Sequence, residues 1–163
     1  KISKSWQVRT PVLIDLLLKG NAIVNSSVVV RWSLLEQIGG INESVEMIAS
    51  EDYNTWLRIA QLTEQFVYLP RSLGYYLTHT QSLSQKDMSV AGRCAVAEFA
   101  PALKVPQKLK LEANFRYTSL RFNYLTVKFS EIKLDLLFVL RHGNVVIFFK
   151  ALILLMMIII KRN

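Results

Sequence analysis

The last twenty residues, "NVVIFFKALILLMMIIIKRN", restrict the possible folds more than any other stretch. Positions 145–160 are apolar apart from Lys150, so the segment predicts a helix over about 144–160 with a large surface to remove from water. A spanning helix takes about 20 consecutive apolar residues, and this run is shorter. Three outcomes are open on that ground: an in-plane helix at a membrane surface, a short span anchored by Arg141, Lys161 and Arg162, or a helix buried in a core or a dimer.

Charge narrows the choice. Residues 1–103 carry nine Lys/Arg and nine Asp/Glu, whereas residues 104–163 carry eleven Lys/Arg against Glu112, Glu131 and Asp135. The whole net charge of +8 therefore lies in the last 60 residues, beside the apolar run. A polybasic segment joined to an apolar helix favours an anionic membrane surface over nucleic acid, for which no reading motif is present. The expected location is cytoplasmic, peripheral at the inner face of the membrane. No secretory signal is recognised at the start of the chain. With 163 residues, 52% of them hydrophobic, the chain can build one sizeable core. The single Cys94 leaves no intramolecular disulfide framework and no cysteine-based zinc cluster.

The first half reads as mixed α and β. "NAIVNSSVVVR", 21–31, is rich in β-branched residues and predicts a largely buried strand. "WSLLEQI" is a short helix stopped by Gly39 and Gly40. A further helix is expected over 51–62, followed by two short strands, "QFVYLP" and "SLGYYLTH", parted at Pro70. Beyond residue 87 the pattern is helical, at about 87–100, 107–140 and 144–160, with breaks at Pro101, Pro106 and His142–Gly143. The expected organisation is 1–86, a helical extension 87–143, and a membrane-contacting helix 144–163.

Within "MIASEDYNTWLRIAQ", Glu51 and Asp52 stand together behind Ser50. One reading is structural: Ser50 is a favoured N-cap, and acids in the first turn suit the helix dipole. The other makes one acid a general base. Adjacent helical residues point about 100° apart, so the pair is poorly arranged for a two-carboxylate glycoside hydrolase. His79 and His142, the two histidines, lie in different regions, and no HExxH, P-loop or GxGxxG occurs.

Three ordered blocks, "GNAIVNSSVVVRWSLLEQIGGINES", "SEDYNTWLRIA" and "YYLTHTQSLSQ", together resemble the C-terminal half of the catalytic domain of family 2 glycosyltransferases, over about residues 15–86. The resemblance implies the C-terminal part of a GT-A α/β fold followed by a helical, basic tail. It implies inverting transfer of a sugar from a nucleotide-diphosphate donor to a glycan or lipid-linked acceptor hydroxyl, as in polysaccharide synthesis. Asp52 would be the catalytic base and Glu51 its supporting neighbour. His79 would lie near a divalent Mg or Mn ion and the diphosphate. Ser82 and Ser84 would serve the substrate, and Arg31 would either serve it or form a structural ion pair. Trp56, four residues after Asp52, shares its helical face, where the ring would either stack on a sugar or, as is commoner for a Trp in an amphipathic helix, join the core. Arg58 would brace Glu51. Relatives often have Asp where Asn54 stands and Arg where Leu77 stands. The nucleotide-binding half with its DXD motif has no counterpart, so the chain alone is expected to be inactive. The rival reading is a non-catalytic, membrane-associated interaction module.

Overall fold

The computed structural model of the protein describes residues 5–72, 74–75, 86–125 and 132–162. Among them are seven α-helices: α1 (Val12–Lys19), α2 (Trp32–Gln37), α3 (Glu51–Leu62), α4 (Ser89–Val96), α5 (Val105–Leu125), α6 (Ile132–His142) and α7 (Val145–Arg162). Short 3-10 turns lie at Asn25–Ser27, Val45–Met47 and Ala100–Ala102.

The expected α/β fold is overturned, because no strand forms among the described residues. Segment 21–31 keeps the extended backbone that its β-branched residues favour: Val28 has φ −112° and ψ 145°, and Arg31 has φ −68° and ψ 130°. What it lacks is a ladder partner. A 3-10 turn breaks it at Asn25–Ser27, Val29 is fully exposed, and Val28 and Val30 rest against the core from one side only. Segment 65–70 likewise forms no strand. Its backbone is satisfied in another way: the Gln7 side-chain amide donates to the Phe66 carbonyl and accepts from the Tyr68 N–H, both at 3.1 Å. One side chain thus does the hydrogen bonding of a neighbouring strand's peptide group. The second expected strand, 72–79, falls largely outside the described residues.

The helices form where periodicity and punctuation agree. α2 ends at Gly39 and Gly40, both at positive φ (74° and 81°), where the Gly40 N–H reaches back to the Leu35 carbonyl at 2.8 Å. α3 is embedded on nearly every side, with Tyr53, Asn54, Thr55, Trp56, Leu57, Ile59 and Ala60 buried. It packs on Leu16 and Leu17 of α1 and on Ala95 and Val96 of α4; Phe99, Leu103 and Leu111 complete this first core. The Tyr53 hydroxyl donates to the Leu16 carbonyl at 2.8 Å, and burial pushes that hydroxyl well above the usual phenol pKa.

A second core joins the remaining helices. Leu120 of α5 packs with Ile132, Leu136 and Val139 of α6 and with Ala151, Leu154 and Ile158 of α7. Arg116 ties α5 to α6, with Nη1 at 3.0 Å from Asp135 Oδ1 and its guanidinium 4.2 Å above the Phe138 ring. Arg93 of α4 and Arg116 converge on Glu112; burial would raise that carboxyl, but their hydrogen bonds and charges outweigh it and hold its pKa low.

The α6–α7 corner turns at Gly143, as the sequence pattern implies. A Cβ there would stand 2.5 Å from the Val139 carbonyl oxygen, an atom of the backbone that cannot swing away. Gly143→Ala is therefore expected to lower stability by about 1–3 kcal/mol. Urea denaturation would check this, and an unchanged midpoint would mean that the corner yields freely. Among the described residues no helix is long and apolar enough to cross a membrane, which does not support the short span, one of the three outcomes left open by the sequence.

Candidate functional site

The chain enters α3 through a constrained turn. Ala49 has φ 67°, a left-handed conformation that costs an L-residue with a Cβ roughly 1 kcal/mol or more. The Ser50 N–H then closes on the Met47 carbonyl at 2.7 Å. Ser50 is buried, yet its hydroxyl makes no capping hydrogen bond, so the simplest structural reading of "SEDY" does not hold. Asp52 partly replaces it at the helix start, where its Oδ1 accepts the Tyr53 N–H at 2.6 Å.

Asp52 faces the loop that follows α1. Asn21 Nδ2 lies 3.4 Å from the same Oδ1, while Asn21 Oδ1 accepts the Ile23 N–H at 3.0 Å. This second bond fixes the amide so that its NH₂ end points at the carboxylate. Burial pushes the Asp52 carboxyl above its ordinary pKa. The N–H of Tyr53 opposes this, the Glu51 charge reinforces it, and the Asn21 amide and Asn25 N–H oppose it more weakly. Beside it, Glu51 Oε2 is buried with no hydrogen-bond partner among the described residues. The result is a half-buried carboxylate with raised proton affinity, oriented by an amide and reinforced by a second acid.

The other expected site residues are distributed differently. Arg31 is exposed at the entry to α2, and no hydrogen bond or ion pair joins it to Asp52 among the described residues. Trp56 is only 4% exposed and belongs to the first core, so its ring has no open face for a sugar. Arg58 does not brace Glu51; its Nη1 and Nη2 donate to the carbonyls of Ile38 and Gly40 at 2.6 and 2.7 Å, closing the end of α2. His79, Ser82 and Ser84 lie outside the described residues. Among the described residues no three His, Cys, Asp or Glu side chains converge where a divalent ion could be held, and His79, the ligand expected for Mg or Mn, lies outside them.

The sequence pattern does not identify Asn21 and Asn25 as neighbours of Asp52. The local signal for Asn21 is its position just after Gly20, itself at φ 94°, where an asparagine readily bonds the backbone two residues on. A separate groove of about 440 Å³ lies between α4 and α5, lined by Val96, Pro101, Leu111 and Phe115 among others, and shares no residue with the Asp52 site.

Comparison of the chain with protein-family models, with curated proteins and with solved structures returned no match. Together with the absence of strands among the described residues, this overturns the resemblance to family 2 glycosyltransferases and their GT-A fold.

Proposed function

We propose that Asp52 is the general base of a group transfer in which an acceptor hydroxyl attacks the anomeric carbon of a nucleotide-diphosphate sugar. The observation that carries this reading is the raised proton affinity of a carboxylate held in place by Asn21. A higher pKa makes a stronger base, and a half-buried position leaves part of the group open to an acceptor. The acceptor oxygen forms the new C–O bond as its proton passes to Asp52. The old anomeric C–O bond breaks with its electron pair leaving on the diphosphate.

The neighbourhood also favours this donor class. Glu51 is adjacent on the same helical turn and cannot face Asp52 across a scissile bond. A site with one base and, among the described residues, no opposed acid suits a leaving group that departs as a stabilised anion, as a nucleoside diphosphate does. The expected metal is given no step, because the described residues supply no donor set for it. The glycan or lipid-linked nature of the acceptor is an expectation from the sequence alone.

The test is the pH dependence of transfer by the full-length gene product with a panel of nucleotide sugars. The base must be ionised, so the rate should fall as pH drops through the Asp52 pKa. That acid limb should lie above the ordinary aspartate value of about 4. A rate flat across this range, or no turnover with any donor in the panel, would overturn the proposal.

A further inference from the structure

We infer that the outward face of α7 docks in the plane of an anionic lipid bilayer. α7 has two apolar sides. One carries Ala151, Leu154 and Ile158 into the second core. The other presents Val145, Phe149, Ile153, Met156 and Ile160 to solvent, with Val146 and Met157 alongside. At about 100° per residue these seven positions fill one continuous arc of roughly 120° along about four turns. Since α7 is already held by its inner side, the outer arc is not needed to fold the chain.

Charge selects the occupant. The acids described in this region are already engaged: Glu112 by Arg93 and Arg116, and Asp135 by Arg116. Lys104, Lys108, Lys110, Lys133, Arg141 and Lys150 are exposed, without an ion pair among the described residues. α7 itself carries no acid. By helical register, positions 150 and 161, both lysines, fall roughly 20–40° beyond the edge of the arc. Lysines bordering an apolar face can reach upward to phosphate groups while that face enters the acyl boundary. A second copy of the chain would set positive charge against positive charge. Nucleic acid would place phosphates against an apolar surface.

The test is sedimentation with vesicles of phosphatidylcholine, alone or mixed with phosphatidylglycerol, at low and high salt. The chain should bind the anionic vesicles, lose most of that binding in high salt, and bind the neutral ones about tenfold or more weakly. Phe149→Glu with Ile153→Glu should abolish binding while circular dichroism stays unchanged, since both side chains are exposed. Lys150→Glu, a milder change, should weaken binding without abolishing it. Equal binding by parent and double variant would overturn the inference. So would a solution dimer lost in the double variant without vesicle binding, or salt-sensitive oligonucleotide binding in its place. None of these readouts depends on Asp52.

Discussion

In the full-length gene product Asp52→Asn should reduce sugar transfer by about 10²–10⁴-fold, and it should leave the protein at least as stable as the parent at neutral pH. The stability sign follows from linkage. The folded-state pKa of Asp52 is raised, so the folded chain holds this proton more tightly than the unfolded chain does. Parent stability therefore declines as pH rises from the ordinary aspartate range through the raised value. Asn carries no such loss, and the difference between the two proteins should disappear below about pH 4. Asn also keeps an oxygen that can accept from Tyr53, so the helix start survives. Donor binding, transfer rate and thermal midpoint, measured on both proteins, separate the roles. A variant that keeps its rate but melts earlier would reduce Asp52 to a helix-stabilising acid.

The reverse exchange two residues later should be costly. Asn54 is 0% exposed, and its Nδ2 donates both to the Ala95 carbonyl at 3.0 Å and to Glu98 Oε1 at 2.8 Å, pinning α3 to α4. Asn54→Asp replaces that donor by an oxygen and sets a buried charge against a carbonyl and a carboxylate. A loss of about 3–5 kcal/mol is expected at neutral pH. The new carboxyl would have a raised folded pKa, so the penalty should grow as pH rises above about 4 and shrink below it. Urea denaturation at pH 7 and near pH 3.5 would check both parts; equal losses at the two values would count against an electrostatic cause. The same two hydrogen bonds explain why an amide, and not an acid, suits position 54 in this fold.

Elements with strong local signals are legible in the sequence. The expectation of helix over 51–62, and of α2 before its two glycines, holds because periodicity, first-turn acids and positive-φ stops coincide there. The regions around α4 and α7 also read as helical. The strands are misread, since β-branched composition reports a preference for extended backbone, whereas a strand also needs a partner. At 65–70 that partner is the amide of Gln7, about sixty residues earlier, which no local pattern reveals.

The site is legible in part for the same reason. The acids stand out in the text, but Asn21 reaches Asp52 only through the packing of α1 on α3. Trp56 shows the limit of an argument from helical face. Four-residue spacing sets it about 40° from Asp52 around α3, but this helix is buried almost all round, so the ring joins the core, the commoner place for a Trp in an amphipathic helix.

α5 carries a further consequence. Its 21 residues form a rod about 31 Å long, with Leu111 in one core and Leu120 in the other. Neither core closes without it. Asn114 adds a latch from its middle, donating to the Leu18 carbonyl at 2.9 Å. The two halves of the molecule are therefore wired as one cooperative unit: opening either exposes a flank of the rod that the other needs. Loosening at the far end, where α6 and α7 meet, draws on the same reserve of stability that holds Asp52 against Asn21.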